Sequence, residues 1–284
     1  MKIFTRDWYW YYTTNTILAI LIGFPIYMII NTSFTNTPEL SFNLNSMHNE
    51  WTFDNYKNIW ELKIRSSRTS FNQSFWNSII VTCGTVILSV IITTLSGYAL
   101  AILKFPFSEL IFILLILPIL IPVISLIIPL YKLLRDLNLH DSYIGLILIH
   151  TTCMLPVGVF LMRNAFISIP QSLREIAMLE GSSEYEILTK VMFPLALPGV
   201  VTVIIFSMYT AWNDYLFSLI FINSPEMQML NVTLSRLGIR SGNPIFAGYV
   251  ITYIPFIIFF VLLQRYYIRG ITTVSYTHLR AHET

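Results

Sequence analysis

Side chains able to do chemistry are sparse in this chain and poorly spaced for it. His48, His140 and His150 fall at no metal-ligand spacing, Cys83 and Cys153 form no CxxC pair, and no HExxH or GxSxG run occurs. Metalloprotease, redox and hydrolase chemistry are therefore not indicated. The 11 glycines include no GxxxxGK[ST] run, so the chain has no phosphate-cradling loop of its own for ATP. We expect no catalytic residue and no metal. Two stretches remain whose residue types and spacing could do work. The first is Ser168 to Pro198, the one long polar interruption in the second half of an apolar chain. Pro170 suits the first turn of a helix, Leu173, Ile176 and Ala177 recur at i, i+3, i+4, and Gly181 can take the left-handed conformation that ends it. Ser183 with Glu186 has capping-box form, so a second helix is expected from Glu184 to about Phe193, stopped by Pro194. On spacing alone this pair is either a docking surface or a tidied loop. The second stretch is Tyr209 to Tyr215, YTAWNDY, a polar patch inside an apolar run. An unpaired aspartate such as Asp214 would cost roughly 2.5 kcal/mol or more at the centre of a membrane helix, so it should face protein or water. The patch is either a cavity wall or a hydrogen-bonded lock between helices, and for Asp214 the lock is the preferred reading.

The elements that must position these residues are membrane helices. Hydrophobic residues make up 55% of the chain and charged residues 11%, with a mean hydropathy of +0.66, far from the roughly one-quarter charged residues of a soluble domain. Six runs have the ~20 apolar residues that span hydrocarbon: about Tyr12 to Thr32, Ile79 to Leu103, Leu110 to Leu134, Tyr143 to Phe166, Leu197 to Leu219 and Phe246 to Tyr267. The second and third are joined only by Lys104 to Glu109 and should form a tight hairpin. Pro118, Pro122 and Pro129 should kink or break the third. The first run is longer than a signal-peptide core and lacks a clear cleavage site, so it is expected to stay as an anchor. Aromatic residues at span edges, among them Trp8, Trp10, Tyr11, Tyr12, Trp76, Tyr131, Tyr266 and Tyr267, suit the interface. Ser33 to Gln73 should be an outer loop containing some helix. Both cysteines fall inside spans and are expected to be packing residues. Lysines and arginines divide almost evenly between the two sides, so charge leaves orientation open. The net charge of +2 is too small and scattered for a nucleic-acid platform. Ionisable groups are nearly confined to span ends, with His150 and Asp214 the clearest exceptions, which argues for an energy source outside this chain.

Glu175-Ile176-Ala177 followed by Gly181, Pro194 and Pro198 resembles the EAA loop of ABC-transporter permeases. WTFDNYKNIW at Trp51 to Trp60, FWNSIIVT at Phe75 to Thr82, Tyr98-Ala99-Leu100, IPLYKLLRDLNLHDSYIGLIL at Ile128 to Leu148 and AWNDYLFSLI at Ala211 to Ile220 resemble the sugar-importing, maltose-type branch. The likeness runs from about Tyr12 to Thr273. It departs at Ile176 for the usual middle alanine, at Glu180 for the usual aspartate, and at Ser182 after the glycine. GITT at Gly270 to Thr273 matches, but Val274 to Thr284 does not, and that tail is expected to be non-native.

The resemblance implies an all-α, polytopic permease with six transmembrane helices and both termini cytosolic in a bacterial cell membrane. Residues 1–73 would hold the N-terminal end, first helix and outer loop, residues 74–270 a five-helix core with its EAA loop at 168–198, and residues 271–284 the tail. It also implies an ATPase pair carrying ATP and Mg, a second homologous permease and an extracytoplasmic sugar-binding protein, with no cofactor in this chain. Leu173, Ile176, Ala177 and Leu179 would bury apolar surface on the ATPase, Glu175 and Glu180 would meet donors at the rim, Gly181 would allow the turn, and Pro194 would end the second helix. Tyr209, Trp212, Asn213 and Asp214 would line a sugar pathway. A permease for amino acids, phosphate or peptides, or a membrane scaffold or sensor, are the alternatives.

Overall fold

The computed structural model describes residues 4–35, 51–62, 69–103, 105–238 and 242–280. Among the described residues the chain is helical and contains no β-strand. In chain order the helices are α1 (Phe4–Ser33), α2 (Asp54–Glu61), α3 (Phe71–Ile102), α4 (Ser108–Ile116), α5 (Ile127–Asp136), α6 (Tyr143–Ile167), α7 (Gln171–Leu179), α8 (Glu184–Glu186), α9 (Phe193–Leu195), α10 (Leu197–Trp212), α11 (Leu216–Phe221), α12 (Leu230–Leu237) and α13 (Pro244–Arg280). Among the described residues, four segments are long and apolar enough to cross a bilayer: Trp10–Ser33, Phe71–Ile102, Tyr143–Ile167 and Pro244–Gln264. Two bent pairs, Ser108–Leu120 with Val123–Asp136 and Glu184–Leu195 with Leu197–Trp212, turn by 99° and 77° and raise the total to as many as six if each is one span. His48, Lys104, the loop segments 36–50 and 63–68 and the last tail residues 281–284 lie outside the described residues, as do the side chains of Trp8, Tyr266 and Tyr267.

The chain divides into two compact units. One comprises Met1–Asn72 and Thr233–Pro255. Within it α1 offers a fully exposed apolar surface between Trp10 and Ile30, suited to lipid or another helix. The outer-loop helix expected from sequence is α2. Its Asn55 side chain donates to the carbonyls of Ser33 and Thr35, at 3.0 and 2.8 Å, and Tyr56 shares a 2.7 Å hydrogen bond with the Ser33 hydroxyl, which satisfies the carbonyls left over where α1 ends.

The other unit comprises Gln73–Val232 and Phe256–Thr284 and holds both stretches singled out above. Here α3 and α6 run in the same direction at very short range. A β-carbon on Gly97 would fall 2.6 Å from Met162 Cβ, and one on Gly158 would fall 2.5 Å from Thr93 Cγ2, so the absent side chains are what lets the helices touch. The parallel course brings the C-terminal ends of α3 and α6 to the same end of the unit. There Tyr98, Met154, Met162, Phe166, Ala177, Ile187, Met192 and Val200 form one buried cluster. Val81, Leu134, Leu146, Ile149, Phe217 and Phe221 form a second. The third expected span is broken. Pro122 restricts the residue before it, Ile121 is extended (φ −89°, ψ 122°), and 3₁₀ turns flank the break at Leu117–Leu120 and Val123–Leu126. The cysteines are free thiols, and Cys83 is exposed on the surface of α3, which corrects the expectation that both serve as packing residues.

Near the second cluster, loops are pinned by side chains. Asn77 donates to the carbonyls of Glu226 and Gln228, at 2.8 and 3.0 Å, and accepts from the Tyr143 hydroxyl at 2.8 Å. Asp141, at φ 55°, accepts the N–H groups of Asn223 and Ser224 and the Ser224 hydroxyl, at 2.9, 3.0 and 2.6 Å. Partial burial works against the charge, but these hydrogen bonds and the neighbouring His140 outweigh it and hold the carboxyl below its ordinary range. A depressed native pKa means that Asp141 stabilises the fold above its unfolded value of about 3.9 and loses that contribution as pH falls through the native value. Asp141→Asn keeps a side chain that tolerates positive φ and removes the charge together with one of the two accepting oxygens. It should lower thermal stability at neutral pH and flatten the acid loss of stability, measured by melting the detergent-solubilised protein from pH 7 down to 3.

Candidate functional site

The connector after α6 is a rigid, doubly capped helix pair. Pro170 precedes α7, and at its far end the N–H groups of Gly181 and Ser182 return to the carbonyls of Met178 and Ala177, each at 3.0 Å. That pair of bonds is a Schellman motif, and it requires the left-handed backbone that Gly181 adopts at φ +84°. The next helix opens on the capping box read from sequence: Ser183 Oγ accepts from the Glu186 N–H at 3.4 Å, and the Glu186 carboxylate accepts from the Ser183 N–H at 3.1 Å. From there the backbone departs from expectation. It passes through a π-helical stretch, Ile187–Met192, and Pro194 does not stop it. Pro194 occupies the first turn of α9, where no N–H is required of it, and the axis turns at Ala196 instead.

α7 divides its apolar residues between two faces. Leu179 is 88% exposed, Ile176 53% and Leu173 38%, and Met178 is also exposed. Ala177 is 7% exposed and belongs to the buried cluster with Tyr98, Phe166 and Met192. This corrects its assignment to a partner-facing surface: its short side chain lets α7 lie against this chain's own core. Glu175 and Glu180 are exposed beside the open ridge. Its two chain neighbours aside, no described heavy atom lies within 4 Å of where a Gly181 β-carbon would be, so the position is open space. Arg174 points back from α7 to pair with Glu184, which pushes the Arg174 pKa further up, and Glu184 also accepts from the Tyr98 hydroxyl at 2.6 Å. Sequence reading missed Arg174 and Glu184, and it saw Tyr98 only as part of a triplet, because nothing in local spacing relates positions 98 and 184.

The second stretch interrupts the expected fifth span. α10 ends at Trp212, and α11 starts at Leu216. Asp214 causes the break: its two carboxylate oxygens accept from the N–H groups of Phe217 and Ser218 and from the Ser218 hydroxyl, at 3.1, 2.8 and 2.5 Å. The same carboxylate lies 3.5 Å from His150 Nε2 on α6, and the two side chains are 7% and 4% exposed. The two ionisable groups that sequence marked as interior thus lie side by side and buried, His150 Nε2 near the carboxylate but not hydrogen-bonded to it. Asn231 closes the break from the other side by donating to the carbonyls of Trp212 and Asp214, at 2.8 and 3.2 Å. Trp212 is buried, its ring edge-on to Phe75 at 5.9 Å, so it does not line a pathway. Tyr209 and Asn213 are exposed, and with Thr210 they form the accessible polar part of the patch.

Two outcomes follow from this geometry. Gly181→Val should destabilise the connector by about 1–2 kcal/mol through backbone strain, while Gly181→Asn should cost much less because asparagine tolerates the left-handed region; thermal melts of the two variants side by side check this. Asp214→Ala strands buried donors on α11 and leaves His150 without its partner, and should cost about 2–3 kcal/mol. Asp214→Asn, which keeps an acceptor, should cost less in the same melts.

Known proteins show the same architecture. Residues 86–273 match the family described as the binding-protein-dependent transport system inner membrane component, and the match ends where the sequence resemblance ends, at Thr273. The arabinooligosaccharides transport system permease protein AraQ of Bacillus subtilis is 31% identical over 261 residues, covering 90% of this chain and 90% of that protein. The melibiose/raffinose/stachyose import permease protein MelC of the same organism is 28% identical, covering 91% and 94%. A chain from the crystal structure of a bacterial ABC transporter involved in the import of the acidic polysaccharide alginate superposes with a TM-score of 0.79 at 22% identity, covering 94% of this chain and all of that one. With most of its length matched, this chain belongs to the family of binding-protein-dependent transport system inner membrane components.

Proposed function

We propose that this chain is the membrane-spanning permease subunit of an ATP-driven sugar importer. The observation that carries the reading is the open apolar ridge of Leu173, Ile176 and Leu179 on a short helix that starts after Pro170 and is closed by a Schellman motif, in a multi-pass chain with no nucleotide-binding loop. Such a ridge is the face that an amphipathic helix lays into a groove of a partner. The partner would be an ATPase pair holding ATP and Mg, and a second, homologous permease would complete the pathway. The curated relatives named above carry arabinooligosaccharides or melibiose, raffinose and stachyose, which supports a sugar as cargo. A further structural neighbour comes from an alginate transporter in complex with an alginate pentasaccharide-bound periplasmic protein, which supports delivery by an external binding protein.

In this reading both termini and the α7 connector face the cytosol. Closure of the ATPases on ATP displaces α7, and the displacement tilts α6 and α10 to switch the pathway between inward-facing and outward-facing states. Exposed Tyr209 and Asn213, with Thr210 and Tyr215 beside them, are available to sugar hydroxyls, while the His150–Asp214 pair holds the wall behind them.

Leu179→Glu separates docking from folding, because the side chain is almost wholly exposed in this chain. It should leave membrane insertion and melting unchanged and weaken co-purification of the ATPase by at least about tenfold, given the roughly 1.5–3 kcal/mol of a fully buried leucine. Unchanged co-purification would remove the docking role. Uptake of labelled sugars in a strain lacking this chain tests the cargo: uptake equal to that of the parent strain would point to another solute class, and failure of any ATPase to associate would point to a scaffold or sensor.

A further inference from the structure

We infer that Tyr98 is a positioning residue: its hydroxyl, held by Glu184 and through it by Arg174, clamps α7 to the end of α3, so that the second span moves with α7 as one body. This rests on the importer reading above and deepens it. The polypeptide links α7 only to α6 on one side and to α10 on the other, and α3 has no covalent share in any displacement. Three side chains supply one. Arg174 lies on α7 before the Gly181 turn, Glu184 begins α8 after it, and Tyr98 lies on the last turns of α3. The ion pair from Arg174 to Glu184 braces the two sides of the turn, and the 2.6 Å bond from Tyr98 to Glu184 ties that brace to α3.

Each member is held in place. The Tyr98 side chain is buried, its ring edge-on to the fully buried Phe166 at 5.4 Å, so the hydroxyl has little freedom to leave Glu184. The neighbouring Gly97 puts α3 in backbone contact with Met162 and Arg163 of α6, which removes slack at the same level. Arg174 is 15% exposed and Glu184 44%, so water reaches the carboxylate from one side while the Tyr98 hydroxyl meets it from the part-buried side. A charge-assisted hydrogen bond in such a place is stronger and more directional than a solvated one. Van der Waals contact alone would let α3 slip along the connector. A hydroxyl anchored to a carboxylate resists sliding.

The test uses the assembled transporter, with its ATPases and second permease, carrying Cys83→Ala and Cys153→Ala. Spin labels are placed at Leu95→Cys on α3 and Ser172→Cys on α7, both exposed positions. Pulsed electron paramagnetic resonance then measures the distance between them without nucleotide and after trapping with Mg·ATP and vanadate. In the parent the distance should stay the same in the two states. In Tyr98→Phe, which keeps the ring and its packing, it should shift or broaden on trapping, while ATPase association and basal ATP hydrolysis stay at the parental level. Glu184→Gln, which keeps an acceptor for Tyr98 but releases Arg174, should give a smaller shift. A distance that changes in the parent, a Tyr98→Phe variant identical to the parent, or a Tyr98→Phe variant that no longer binds the ATPase would each overturn the clamp. A parent that binds no ATPase would instead remove the importer reading beneath it.

Discussion

A backbone N–H or C=O freed where a helix breaks finds no water inside a membrane, and leaving it unpaired costs several kcal/mol. In this chain the Asp214 break interrupts an apolar run and the Gly181 turn lies in the polar connector, and both are closed by named groups. Asp214 takes the place of the helical ladder for Phe217 and Ser218, and Asn231 covers the carbonyls of Trp212 and Asp214. The Schellman bonds and the capping box close the two sides of the Gly181 turn. Because the breaks are satisfied internally, they form fixed bends, and a fixed bend can carry a displacement from one helix to the next.

That constraint explains why two carboxylates with similar sequence settings do different work. Asp214 is consumed by this chain: its oxygens accept from Phe217 and Ser218 of α11, and His150 stands 3.5 Å away. Glu184 is shared between Arg174 and Tyr98 and joins the α7 connector to the end of α3. The open ridge of α7, by contrast, contains no charge of its own. Leu173, Ile176 and Leu179 stand open while Ala177 is turned inward, so α7 offers one face to this chain's core and the other outward.

Close helix contact is the second requirement. Gly97 and Gly158 leave room for Met162 of α6 and Thr93 of α3 to lie directly on the facing helix, and Gly199 of α10 does the same for Ala165 of α6. Lipid supplies no hydrophobic drive for helices to associate, so contact of this kind, with polar pairs such as His150 and Asp214, is what holds the bundle together.

Local chemistry made much of this legible from sequence. The apolar runs, the Ser183–Glu186 box, the Gly181 stop and the proline-broken third span depend on residues within a few positions of one another, and the structure has each of them. Other features were decided only by tertiary contact. Ala177 faces inward because of the cluster formed by α3, α6 and α10, and Trp212 is buried because Phe75, far away in sequence, lies against it. Pro194 continues its helix because the preceding π-helical stretch and the turn at Ala196 leave it in a first turn. The partners of Asp214 and Tyr98 lie 64 and 86 residues away, at His150 and Glu184. Periodicity and capping are properties of neighbouring residues and can be read along the chain. Which polar group meets which across a bundle depends on how closely the helices approach, and that is settled only when they pack.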